Sequence, residues 1–190
     1  LTQAGYELDG NRLVDANGQQ LSFEILLNGP TIEPVATAYQ ANLKSIGIDA
    51  SIREVDSAEY INRIRSRDFD ITYNGWSQSL SPGNEQNFFF GSKSAADPSS
   101  SNYAGVANPA VDALINNLVF AKNREEVLAA TKALDRVLLN NYYVIPSYTL
   151  RMDRVARWDR FSGPDKLPAY SIGFPTIWWF DEAKAERTGK

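Results

Sequence analysis

The residue types that most often carry out catalysis are missing from this 190-residue sequence. It contains no histidine and no cysteine, which removes the commonest general base, the thiol nucleophile and the zinc–thiolate site. Ser77, Ser79 and Ser81 lie close together, but serines cannot form a hydrolase triad without histidine. Asp68 and Asp70 flank a predicted strand start, where solvated turn carboxylates are the simpler interpretation. We therefore expect no catalytic residue, no metal site and no cofactor.

Two polar clusters that follow predicted strands favour ligand binding instead. Asn28 ends the first strand, and Gly29 beside it permits close backbone approach. The second cluster contains Tyr73, Asn74, Trp76, Ser77, Gln78 and Ser79. A tryptophan beside hydrogen-bonding groups suits an amphipathic ligand such as a peptide or a sugar. The alternative, that Trp76 closes the top of the core, stays open from the residues alone.

Arginines near the end of the chain form a third candidate. Arg151 and Arg154 follow a predicted strand and could bind a carboxylate through paired hydrogen bonds. Solvated surface charges are the alternative interpretation. Arg151 is the one that we include among the candidate ligand-binding residues.

The elements that position these residues follow from hydrophobic patterning. Residues 21–28, 48–55 and 69–75 are β-rich, and residues 32–46 have the helical period. Asp56 and Glu59 form a capping box that opens a second, short helix. The order β-α-β-α-β with short links predicts parallel strands and a doubly wound α/β domain. Ligands of such sheets gather outside the carboxyl ends of the strands, where Asn28 and Trp76 are expected.

The second half of the chain has weaker patterns. Residues 76–107 lack periodicity, although three phenylalanines at 88–90 argue against disorder. Helices are predicted after Asn108 and after Asn123, both favourable capping residues. Residues 142–148 predict a strand interrupted by Pro146, and 155–161 a further strand. We expect a loop through the aromatic tail to residue 180 and fraying beyond it.

The composition and the first residues of the chain narrow the class of protein further. The net charge of −4 makes nucleic acid an unfavourable partner, and no apolar run is long enough to span a bilayer. Residues 1–6 lack the pattern of a signal peptide and predict a last helical turn that Gly5 caps. We therefore expect this chain to be part of a longer protein.

Six segments spread over the chain carry distinctive motifs. They are Ala4-Gly5-Tyr6, FEILLN at 23–28, YQANLKSIGIDASIREVD at 39–56, FDITYNGW at 69–76, NPAVDALI at 108–115 and YYVIPSYT at 142–149. In this order and spacing they resemble the C-terminal part of family 5 extracellular solute-binding proteins, the dipeptide- and oligopeptide-binding group of ABC importers, and the resemblance covers essentially the whole chain. SQSLSPGNEQ at 77–86 and GFPTIWWFD at 173–181 are most similar to the subgroup associated with microcin C and similar peptides.

The resemblance implies one lobe of a periplasmic binding protein of type II, an α/β lobe with a parallel or mixed sheet flanked by helices. Residues 1–150 would be the second ligand-binding lobe, and residues 151–190 would return to an absent N-terminal lobe. Trp76 and the residues after it would line a peptide cleft, and Tyr148 would lie in it near the hinge. Ser79 stands where oligopeptide binders often carry an amine-binding aspartate, and Tyr73 stands where an arginine can occur.

The implied function is capture of peptides or peptide-like ligands without bond chemistry, for delivery to the ABC permease subunits of the inner membrane. The implied location is the periplasm, or a lipid anchor outside the cell. An oligosaccharide-binding protein of the same fold is the first alternative, because tryptophan and tyrosine also stack on sugars. A carboxylate-based hydrolase and a pure interaction module are the other two.

Overall fold

The computed structural model describes residues 1–149, 154–169, 173 and 175–188, and it divides the chain into two compact units. The first contains Leu1–Trp76 and Asn87–Pro109, and the second contains Ser77–Gln86 and Ala110–Lys190. Each unit therefore consists of two separate stretches of sequence.

A parallel three-stranded sheet forms the centre of the first unit. Its strands are β3 (Ser22–Asn28), β4 (Asp49–Val55) and β5 (Ile71–Thr72), in the order β4-β3-β5. Helix α1 (Glu33–Ser45) connects β3 to β4, and helix α2 (Ser57–Ser66) connects β4 to β5. The predicted parallel β-α-β-α-β order is confirmed.

The central strand β3 is buried on both faces of the sheet, as its apolar character predicts. Ile25 and Leu27 point to the face whose cluster includes Ala36 and Leu43 of α1. Leu26, which is completely buried, points to the other face and packs with Val55 and Tyr60. The alternation along β3 therefore serves two cores, one under each helix.

Capping residues fix the ends of both helices. The Asp56 carboxylate accepts hydrogen bonds from the backbone N–H groups of Ala58 (2.8 Å) and Glu59 (3.0 Å), so the predicted cap of α2 is confirmed. Gly47 follows α1 with φ +86°. A Cβ atom there would lie 2.7 Å from the backbone nitrogen of Leu13, so that close approach requires glycine.

The beginning of the chain also folds as its turn residues predict. A 3₁₀ turn at Thr2–Ala4 is closed by Gly5, which has φ +84°. Strands β1 (Glu7–Asp9) and β2 (Arg12–Val14) then form an antiparallel hairpin. The Asp15 carboxylate accepts from the N–H groups of Asn17 and Gln19, which lowers its pKa.

In residues 69–107 the predicted third strand is present but shorter than expected, and the prediction of irregular structure after it is wrong. Strand β5 contains only Ile71 and Thr72 instead of 69–75, since the carbonyl of Tyr73 accepts from the Tyr60 hydroxyl at 3.1 Å. Two short helices, α3 (Glu85–Phe90) and α4 (Ser92–Ala95), occupy the stretch expected to be irregular. Each has fewer than two turns, too few for a visible 3.6-residue period.

Helices dominate the second unit. Helix α5 (Pro109–Val119) buries Val111, Ile115 and Leu118 along one side, and α6 (Arg124–Asn140) buries Ala130 and Leu134. The Asn123 side chain caps α6 by accepting from the N–H of Glu126 at 2.9 Å. The two predicted helices are thus confirmed.

The strand predicted at 142–148 is wrong, because these residues have no regular structure and Tyr142 adopts φ +57°. The further strand predicted at 155–161 is shorter in the structure, where β6 contains Phe161 and Ser162. It pairs antiparallel with Trp179–Phe180 (β7), and α7 (Glu182–Arg187) follows. The aromatic tail is therefore partly a strand, and the segment expected to fray contains a helix. No helix in the described part of the chain has the length and apolar character needed to cross a membrane.

Candidate ligand-binding site

Asn28 lies at the carboxyl end of the central strand of the first unit. Its backbone is in the last registered pair between β3 and β4, and its side chain is exposed. The carboxamide oxygen accepts a hydrogen bond from the Ser57 hydroxyl at 3.1 Å. Because Asp56 caps α2, the first residue of that helix is placed beside the end of β3. Asn28 is therefore oriented, and its amide N–H groups remain at the surface.

Tyr73 and Asn74 continue from the end of β5 at the same edge of the sheet. Leu26 pairs with Thr72 in parallel register, so β3 and β5 both end at this edge. The Tyr60 hydroxyl lies 3.0 Å from the Thr72 hydroxyl, and Thr72 in turn donates to the carbonyl of Leu26 at 3.1 Å. Burial raises the pKa of Tyr60, which keeps this group neutral as a donor. This network fixes the backbone direction as the chain leaves β5.

Trp76 is partly buried and held on three sides within the first unit. Its ring centroid lies 5.2 Å from that of Phe90 and 5.8 Å from that of Tyr103, and both pairs are tilted. Its indole N–H donates to the carbonyl of Ser101 at 2.8 Å. Tilted pairs at these separations are attractive. Trp76 therefore packs on its own unit and keeps an accessible surface, and its role in ligand binding stays a prediction.

Ser77, Gln78 and Ser79 belong to the second unit, and all three are exposed. The carboxamide oxygen of Gln78 accepts from the Gln86 side chain at 2.7 Å. Gln86 is only 4% exposed, so a buried group sets the orientation of Gln78. The Ser79 hydroxyl accepts from the N–H of Ser81 at 3.1 Å, which forms a local turn.

Tyr148 also belongs to the second unit, and its side chain is 64% exposed. Arg151 lies outside the described residues, so its predicted role stays a prediction. Arg154 is exposed. The predicted ligand-binding residues that the structure describes are thus divided: Asn28, Tyr73, Asn74 and Trp76 belong to the first unit, at or beyond the carboxyl ends of β3 and β5, whereas Ser77, Gln78, Ser79 and Tyr148 belong to the second.

The charged residues at the opposite edge of the sheet have structural partners. Asp68 pairs with Arg63 at 3.2 Å, and the Asp70 carboxylate accepts from the N–H of Glu24 at 2.9 Å. Arg63 also pairs with the Glu24 carboxylate at 3.0 Å. These residues line a polar cleft of about 400 Å³. Asp68 and Asp70 are both exposed, as solvated turn carboxylates are, and their partners also secure the start of β5.

Several residues that support the site have no signal in the sequence patterns. Phe90, Ser101 and Tyr103 hold Trp76, and Gln86 holds Gln78. All four lie in the stretch without periodicity, where only the phenylalanine triplet was conspicuous. Within the described residues, no three acidic side chains gather in a way that could hold a metal ion.

The sequence matches a family model over residues 1–98, the part that contains the sheet and Trp76. The model describes bacterial extracellular solute-binding proteins, family 5, middle part. The match covers more than half of the chain, and the chain therefore belongs to the family 5 extracellular solute-binding proteins.

Longer proteins from several bacteria are similar to most of this chain. The uncharacterised protein y4wM of Sinorhizobium fredii is 52% identical over 96% of this chain and 28% of its own length. The probable peptide-binding protein YejA of Agrobacterium fabrum is 50% identical over 96% of this chain and 30% of its own length. The chain thus spans less than a third of these curated relatives.

A solved structure supports the fold. The oligopeptide-binding protein AppA from Bacillus subtilis, determined in complex with a nonapeptide, superposes with a TM-score of 0.68 at 19% identity. The match covers 94% of this chain and 36% of that protein. The expected fold class, an α/β lobe of a type II periplasmic binding protein with helices flanking its sheet, is confirmed.

Proposed function

We propose that this chain is the second lobe of a two-lobed protein that captures peptides or peptide-like ligands for an ABC importer. Residues 1–150 form the lobe in this proposal, and residues 151–190 return to the N-terminal lobe that the chain does not include. Membership of family 5 supports this role. The printed name of the Agrobacterium relative, a probable peptide-binding protein, also supports it.

The observation that carries the proposal is the chemistry of the carboxyl edge of the parallel sheet. Ligands of open α/β sheets bind outside the carboxyl ends of the strands. Asn28 ends β3 there with an exposed and oriented side chain, and Tyr73, Asn74 and Trp76 follow β5. Hydrogen-bonding amides beside an aromatic surface fit a peptide, which presents amide groups between apolar side chains.

Each candidate residue has a role in this proposal. Asn28, Asn74, Ser77 and Gln78 bond the amide groups of the ligand, while Tyr73, Trp76 and Tyr148 cover its apolar parts. Arg151 pairs with a carboxylate of the ligand. Ser79 carries no charge, so this position does not hold a terminal amine by ion pairing, and a blocked, modified or otherwise anchored peptide fits better.

The proposed mechanism is binding followed by closure of two lobes about a hinge, with no bond made or broken. Closure buries the ligand and joins the surfaces of both lobes into one face for the inner-membrane permease. The protein acts in the periplasm, or anchored by lipid outside the cell. It is therefore not an enzyme in this proposal.

Native mass spectrometry of the full-length protein, purified from its host, tests the identity of the cargo. We expect a co-purified peptide or peptide-like molecule that remains intact during incubation. A co-purified oligosaccharide would replace the peptide proposal with the sugar alternative. Cleavage of the bound molecule over time would show hydrolysis and contradict a purely binding role.

A further inference from the structure

The orientation of Trp76 depends on a segment of the chain that lies well beyond it. This Trp76-holding segment is Asn87–Val106, and it supplies both aromatic neighbours and the acceptor of the indole N–H. Strand β5 ends at Thr72, four residues before Trp76, so the sheet itself does not fix this side chain. Whatever fixes the segment therefore fixes Trp76.

Asn102 is the buried centre of this segment. It is 1% exposed, and it follows Ser101, whose carbonyl binds the indole. Its amide nitrogen donates to the carbonyls of Gly91 (3.1 Å) and Val106 (2.9 Å), and its oxygen accepts from the N–H of Val106 at 2.8 Å. The bond to Gly91 joins Asn102 to the residue that follows Phe90. One side chain thus sets the spacing between the groups that hold Trp76.

Only an asparagine-like amide satisfies these three bonds at this length. A carboxylate has no N–H to donate, and an aliphatic side chain has neither a donor nor an acceptor. Either replacement would remove the donor to the carbonyl of Val106, and an aliphatic one would also leave the buried Val106 N–H without its acceptor, which is costly. The carbonyl of Gly91 would keep the N–H of Ser94 (3.0 Å) but lose its link to Asn102. The segment would then relax away from its present geometry.

Arg67 fastens the same segment to the end of α2. It has φ +55°, and its guanidinium donates to the carbonyls of Ser94 (3.3 Å) and Asn102 (3.4 Å). These bonds are long and therefore weaker than those of the Asn102 side chain. Arg67 provides a second and milder way to loosen the segment.

We propose that Asn102 is a positioning residue for Trp76 and that it thereby sets the affinity of the ligand site. This inference rests on the proposed function, because it takes Trp76 to contact the ligand. Asn102 itself is buried and acts only through the Trp76-holding segment.

The test uses the full-length protein labelled with 5-fluorotryptophan, and the ligand probe is the peptide that co-purifies with it. The Trp76 fluorine signal is assigned by its loss in Trp76→Phe. In Asn102→Ala we expect this signal to shift or broaden and the affinity to fall by about tenfold, since buried backbone groups lose their partners. Arg67→Met should shift the same signal less, and it serves if Asn102→Ala does not fold.

Gln40→Met is the matched control. The Gln40 side chain donates to the carbonyl of Ala50 at 2.6 Å in the same unit, so its loss should lower stability without moving the Trp76 signal. A folded Asn102→Ala protein with an unmoved Trp76 signal would overturn the inference. A moved signal with unchanged affinity would also overturn it, because Trp76 would then not serve the ligand. If the wild-type protein binds no peptide, the proposed function fails while the fluorine signal still reports on the positioning.

Discussion

Trp76 is only partly buried, although its indole N–H is bonded and two aromatic rings pack against it within the first unit. A side chain held in this way keeps one orientation and loses little further entropy when a ligand covers its accessible surface. This is the property expected of an aromatic anchor at a binding site.

Replacing Trp76 by alanine in the full-length protein should weaken peptide binding by about thirtyfold, which corresponds to about 2 kcal/mol for the loss of an aromatic anchor. Isothermal titration calorimetry measures the change. Phe120→Ala is the control. Phe120 is also aromatic and is 77% exposed, but it lies in the turn that follows α5, outside the candidate site. Equal affinities of Trp76→Ala and wild type would remove Trp76 from the site.

Asp181 should make the end of the chain sensitive to acid. Its carboxylate accepts from the Ser162 hydroxyl at 2.6 Å and from the N–H of Lys184 at 3.0 Å, and the first of these bonds lowers its pKa most. Its folded pKa lies below the unfolded value of about 3.9. The stabilisation is therefore present above about pH 4 and is lost as the pH falls through the folded pKa.

An acid titration from pH 6 to pH 2, followed by the NMR signals of the α7 amide groups, measures this effect. Asp181→Asn is the matched control, because asparagine also caps helices but does not titrate. We expect the α7 signals of the variant to change less over this range. Equal titration of both proteins would mean that another group controls α7.

At the scale of elements, two glycines allow the cost of backbone strain to be distinguished from the cost of a steric clash. Gly47 and Gly18 both have positive φ, at +86° and +77°. A Cβ atom at Gly47 would lie 2.7 Å from the backbone of Leu13, whereas nothing lies within 4 Å of one at Gly18. At Gly47, therefore, the end of α1 lies in close contact with β2, in addition to the backbone strain that a positive φ imposes on other residues.

Gly18→Ala should cost about 1–2 kcal/mol in the free energy of unfolding, the usual strain of a left-handed alanine. Gly47→Ala should cost more, because β2 must also move. Urea denaturation of the two variants and the wild type gives both values. Equal decreases in the free energy of unfolding would show that β2 can move away from the end of α1 at no cost, so that this contact does not fix the hairpin.

The elements that sequence reasoning predicted are those with strong local signals. Alternation and apolar runs identify β3 and β4, and side-chain caps at Asp56 and Asn123 identify the starts of α2 and α6. At the candidate site, the same signals place Asn28 at the end of a strand and Trp76 after one. They do not reveal Phe90, Ser101, Tyr103 or Asn102, whose roles arise from contacts with residues distant in sequence.

The elements that were mispredicted depend on such distant partners. Strands β6 and β7 are two residues each and pair Phe161 with Phe180 across a long connection, so neither has a pattern of its own. Residues 142–148 have β propensity, but Tyr142 turns the backbone with φ +57°. Gly91 lies between α3 and α4, where a Cβ atom would lie 2.7 Å from the carbonyl oxygen of Asn87. This position therefore requires glycine, and the requirement arises from the contact rather than from a sequence pattern.

At the scale of the whole molecule, the chain spans less than a third of the length of the curated relatives that it matches. Exposed aromatic side chains concentrate towards its end, where Trp158 is 73% and Trp179 51% exposed. Under the two-lobe proposal, residues outside this chain cover part of that surface and provide the other half of the ligand contacts. One lobe then has too few contacts to hold the ligand.

Calorimetry of the 190-residue chain beside the full-length protein, with the same co-purified peptide, tests this proposal most directly. We expect the full-length protein to bind with a dissociation constant of about 1 μM or lower. The chain alone should bind at least about a hundredfold more weakly, since half of the contacts and the closure are missing. Binding at about 1 μM or tighter by the chain alone would contradict capture between two lobes.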